Sequence, residues 1–152
     1  MNYTVSLDTE RILENVYAYS ALSYFSASVP DKPAVLGRGQ KEALVKIILH
    51  RAAQIIYELS PFVVATSLVD SPERTDMITV GLELPDTTDE RDALRLRPAL
   101  EDALTSAVLA SAWCTVNAGV CDRFTAMFVE CMVKLRASRA FRGKPGRIVP
   151  AA

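Results

Sequence analysis

Between Pro98 and Phe141 the sequence writes two apolar-faced helices with only Asn117-Ala118-Gly119 to turn between them. So short a turn places the helices antiparallel and side by side, as an αα-hairpin. Pro98 suits a first helical turn, where its missing N–H costs nothing. Glu101 and Asp102 follow near the positive end of the helix dipole. Leu100, Leu104, Val108 and Ala112 recur at one turn, and Leu109, Trp113 and Val116 form an adjoining stripe. Ala99, Ala103, Ala107, Ala110 and Ala112 keep the helix slim enough for close approach by another. Gly119 is the expected left-handed end of this first helix. The second helix is expected over Cys121–Ala140, with Phe124, Phe128, Cys131 and Leu135 on one face and Met127 and Met132 beside it. Trp113 is the expected largest core residue.

The chain has 152 residues, 50% hydrophobic and 23% charged, enough for one globular domain with a core of its own. No run reaches the roughly 18 apolar residues of a membrane span. The start, Met1-Asn2-Tyr3-Thr4, lacks the basic and apolar regions of a signal peptide. The expected location is cytoplasmic. Cys114, Cys121 and Cys131 have neither zinc spacing nor a Cys-x-x-Cys, and are read as small core residues. No metal or cofactor is expected.

The formal charge is −1, unevenly spread. Lys134, Arg136, Arg139, Arg142, Lys144 and Arg147 stand together with no acid among them. Without these six, 11 basic residues face 18 acidic ones, a balance of −7. A basic end on an acidic body points to contact between unlike charges.

From the start of the chain, residues 1–7 read as extended and Asp8 as a helix cap. A helix is expected over Thr9–Ala27, with Ile12, Val16, Tyr19 and Ser23 on one face. Pro30, Pro33, Gly37 and Gly39 make Ser28–Gly39 a loop. A second helix over Gln40–Leu59 carries Leu44, Ile47, Ile48, Ala52, Ile55, Ile56 and Leu59, with His50 on the far side, in solvent. After Pro61 the period changes. Phe62–Val69 and Met77–Leu84, separated by the polar Asp70–Asp76, predict a β-hairpin. A hairpin alone is barely stable in water, so it packs on the helices or pairs with another edge. Asp89 or Thr88 caps a short helix over Glu90–Leu96, which Pro98 kinks or restarts.

The resulting expectation is a mainly α (α+β) fold. It is a four-helix bundle-like domain over 1–141, a hairpin at 62–84 between the helix pairs, and an extended basic tail at 142–152. Ser/His/Asp and Cys/His sets are missing, and the paired carboxylates sit where helix starts place them. The chain is therefore expected to be non-enzymatic and to act by protein–protein contact, as a homo-oligomer or with an assembly partner. The contact residues are Arg139, Arg142, Lys144, Arg147, Ile148 and Val149: charges on an arm, followed by an apolar anchor. Deleting residues 142–152 is expected to abolish assembly while leaving the helical signal intact. The order helix, helix, hairpin, helix pair, basic tail resembles that of small head–tail connector and completion proteins of tailed phages and prophages. That resemblance implies a virion assembly role. The second reading is a small cytoplasmic oligomeric ligand-binding or regulatory protein. The third is nucleic-acid binding through the basic tail, against which stand the pI of about 5.8 and the lack of interleaved aromatics.

Overall fold

The computed structural model describes residues 1–26, 36–114 and 116–143. Among them the chain runs β1 (Asn2–Asp8), α1 (Thr9–Ser26), a 3-10 turn (Arg38–Gln40), α2 (Lys41–Glu58), β2 (Val63–Thr66) and α3 (Ser67–Asp70). It continues through β3 (Met77–Glu83), α4 (Glu90–Leu94), α5 (Leu96–Trp113), α6 (Ala118–Arg136) and α7 (Arg139–Arg142). The fold is mainly helical, with a small three-stranded antiparallel sheet. None of the described helices is long and apolar enough to cross a membrane.

The Ala-rich helix is the centre of the molecule. Every residue of α5 from Ala103 to Ala110 is buried, so the helix is covered on all sides. It touches α1, α2, α6 and β1. Its small side chains let α6 pack close, and Trp113 closes the far end. The Trp113 ring stacks on Phe124 of α6 with centroids 5.4 Å apart. At the opposite end Glu101 is buried and held by Arg11 of α1 at 3.2 Å, with Arg97 at 3.9 Å. The sequence placed Glu101 as a helix-start acid; α5 starts earlier, at Leu96, and Glu101 is a buried tie between two helices.

β3 is the central strand. β1 pairs along its full length, from Asn2 opposite Glu83 to Asp8 opposite Met77, and β2 pairs on its other side. The expected hairpin is present as β2 and β3, but it is not alone: the extended N-terminal residues supply its third strand. Val5, Leu7, Ile78, Val80 and Leu82 point inward at alternate positions. β2 is shorter than the apolar run Phe62–Val69 predicts. Thr66 accepts a hydrogen bond from the Leu68 N–H at 3.3 Å and starts α3. Ser67 Oγ accepts the Thr79 N–H at 2.9 Å, taking the place of a ladder bond.

Other expectations are corrected. Gly119 lies within α6, and the only positive φ among described residues is at Gly143. Asn117 does the capping, its side chain accepting the Val120 N–H at 3.1 Å. On α1, Ile12, Val16 and Ser23 of the expected face are buried, but Tyr19 is exposed and Ser20 is buried beside them. Cys114 is exposed and Cys121 and Cys131 are half-buried; none is a closed core residue. Burial pushes the Cys131 thiol pKa up. Of the expected loop, residues 28–35 lie outside the described residues.

Trp113→Ala should destabilise the fold by about 3–5 kcal/mol, the usual cost of emptying a large buried site. A urea titration checks this: an unmoved midpoint would contradict the place given to Trp113.

Candidate interaction site

α6 does not continue to Ala140. It ends at Ala137, and Ser138 accepts the Ala140 N–H at 3.2 Å to begin the single turn α7. α7 is fixed to the body by three contacts of different kinds. Phe141 is buried with its ring 4.5 Å from that of Phe62. The Thr88 hydroxyl donates to the Ala140 carbonyl at 2.8 Å. Gly143 then turns with φ 69°, where a Cβ would meet Thr87 Oγ1 at 2.2 Å and Pro85 Cβ at 3.0 Å. Only glycine fits so close a passage.

This docking sets α7 against α4. Between them opens a cleft of about 680 Å³ lined by Asp89, Arg91, Asp92, Arg95, Arg139 and Arg142, with Gly143 at its edge. The two acids are engaged locally. Asp89 accepts the Arg91 N–H at 2.9 Å as the cap of α4, and Asp92 stands 3.9 Å from Arg95. Arg91, Arg139 and Arg142 make no ion pair among the described residues. Four guanidinium groups against two carboxylates leave the cleft cationic.

Of the contact residues expected from sequence, Arg139 and Arg142 meet here. Arg142 is the last residue of α7 and not the first of an arm. Lys144, Arg147, Ile148 and Val149 lie outside the described residues. Arg91 and Arg95 were missed. The signal was present in the sequence as an Arg91/Arg95 spacing of one helical turn, but it takes the docking of α7, through Phe141, the Thr88–Ala140 bond and Gly143, to bring that turn to α7. The other two charges of the basic run are spent elsewhere: Lys134 pairs with Glu130 at 3.1 Å and Arg136 with Glu58 of α2 at 3.4 Å.

A second surface is apolar. Tyr57 on α2 is 79% exposed, with Val64 and Val69 at 63% and 76%. Tyr57 and Ala53 are walls of two surface hollows, of about 430 and 310 Å³. The first reaches Phe128, whose ring carries the Arg51 guanidinium 4.8 Å from its centroid. The second reaches Val63, Leu68 and Val69 beside β2, an edge strand of the sheet. β2 is short and its register shifts between Val63 and Ala65. Those features blunt strand addition.

Inside the helical layer the sequence indicated nothing polar, yet Thr105 and Ser106 of α5 are buried beside Cys131 and Asp102 around a hollow of about 150 Å³. The Thr105 hydroxyl has no hydrogen-bond partner among the described residues. His50 is exposed as expected, its ring nitrogen 3.4 Å from the Gln54 amide. Among the described residues no group of three His, Cys, Asp or Glu side chains is placed to hold a metal ion.

No protein-family model, curated protein or solved structure matches this chain.

Gly143→Ala should loosen α7 by about 1–3 kcal/mol, from the positive φ and the clash with Thr87. Tryptic cleavage after Arg139, followed by mass spectrometry, should then quicken by about tenfold. An unchanged cleavage rate would show that α7 is not held by this passage.

Proposed function

We propose that this chain is a non-enzymatic assembly protein, a four-helix-bundle-like body that acts by contact with other protein subunits. The observation that carries this reading is the Tyr57 face. An exposed aromatic, flanked by hollows it does not fill and by Val64 and Val69, is the kind of anchor that dominates protein interfaces. Tyrosine brings large contact area at little rotamer cost, and its hydroxyl tolerates water while the face is free. The order of elements read from the sequence resembles that of small head–tail connector and completion proteins of tailed phages, and the joint of a virion is the setting we assign to it. In that setting the chain's work is to present contacts at fixed positions, and α5, buried on every side, makes the body stiff enough to do so.

Expressed with the products of its neighbouring genes, the chain should sediment with a large particle on a density gradient. Tyr57→Glu, a change on the surface, should reduce its share in that particle by about tenfold or more, matching loss of a central aromatic anchor. A chain that stays at the top of the gradient whatever is expressed with it would overturn the reading.

A further inference from the structure

We infer that copies of this chain join head to tail, the arginine cleft of one receiving the Asp70–Asp76 turn of the next. This rests on the assembly reading and names the contact. The two surfaces lie at opposite ends of β3: the turn 70–76 runs directly into Met77, and the segment 85–89 that leads into the cleft leaves from Glu83. Seven residues of strand separate them by about 20 Å. They cannot meet within one copy.

Their charges are opposite. The turn is exposed and carries Asp70 and Glu73 with no ion pair among the described residues, while Asp76 is matched by Arg74 at 3.2 Å. Asp8 is exposed alongside, since it is the strand partner of Met77. The cleft offers Arg91, Arg139 and Arg142, which also make no ion pair among the described residues. Other acids near the cleft do not neutralise it. Glu83 and Asp86 are taken up by the amino group of Met1 at 3.3 and 2.9 Å, and Glu90 stands on α4 outside the lining. Guanidinium groups pair with carboxylates in two-point geometry, and a cleft of about 680 Å³ has room for a turn of a few residues. Asp89 and Asp92 in the wall disfavour a continuous polyanion, and among the described residues no aromatic side chain lines the cleft for bases to stack on. A peptide turn with separated carboxylates is the better match. A contact between unlike surfaces is heterologous, so it closes into a ring or runs on as a filament.

The test is a charge exchange read by sedimentation velocity at low salt. One variant carries Arg139→Glu and Arg142→Glu; the other carries Asp70→Arg and Glu73→Arg. All four positions are exposed, and circular dichroism should show both variants folded. Wild type should self-associate, and more weakly as salt rises. Each variant alone should associate at least about tenfold more weakly, because its cleft and turn now carry like charge. An equimolar mixture should recover wild-type association, since each cleft then meets a turn of opposite sign. Wild type that stays a single copy, variants that assemble like wild type, or a mixture that recovers nothing would each overturn the inference. The Tyr57→Glu variant leaves both charged ends intact and the reversals leave Tyr57 intact, so failure here is separable from failure of the assembly reading.

Discussion

The burial of every residue of α5 from Ala103 to Ala110 is the constraint on which the rest of the molecule depends. A helix wrapped on every side has no polar face to offer solvent, so its neighbours must supply cover on all of them. α6 covers one side through the αα-hairpin, α1 and α2 cover others, and β1 brings the sheet up to the remainder. The alanines make this feasible: at Ala103, Ala107 and Ala110 a larger side chain would hold the neighbouring elements away. Glu101 is the one charge taken inside with the helix. Its burial is tolerated because Arg11 reaches it from α1, which also fixes how α1 lies across α5.

From that core the surface follows. The sheet is anchored by β1 against α5, so β3 becomes a rigid spine with a loop at each end. One end carries acids in a free turn. The other carries arginines, and it is ordered by packing: Phe141 on Phe62, Thr88 on Ala140 and Gly143 against Thr87 hold α7 in place. Charges on a flexible tail would lose conformational entropy on binding, whereas Arg139 and Arg142 start from a fixed backbone. The Tyr57 face lies on α2 and beside β2; it shares no lining residue with the arginine cleft, and its Val69 borders Asp70 of the acidic turn.

Much of the fold was legible in the sequence, for local reasons. The helices of the αα-hairpin, α1 with its Asp8 cap, α2 and the β2–β3 pair all follow from apolar period and from breakers such as Pro61. What was not legible depends on distant parts of the chain. Pairing of β1 with β3 joins residues some 75 positions apart, and no local pattern announces it. Gly119 looked like a helix end because glycine usually is one there; Asn117 two residues earlier had the side chain to start α6, and that won. Cys114 looked internal by composition but sits just past the last turn of α5, at the surface. Of the contact site, Arg139 and Arg142 were found from charge alone. Arg91 and Arg95 were hidden because their neighbours Asp89, Glu90 and Asp92 made the segment look neutral; only the structure shows that Asp89 and Asp92 are locally engaged.

The central claim, that the two ends of β3 are complementary contact surfaces, is tested most directly by locating the contact. A photoreactive benzoylphenylalanine in place of Arg142, irradiated in the assembled protein and mapped by mass spectrometry, should cross-link to the peptide that holds residues 70–76 of another copy. Cross-links confined to the 142 region of a second copy would mean a two-fold contact between like surfaces and would contradict the account, as would cross-links to the Tyr57 face.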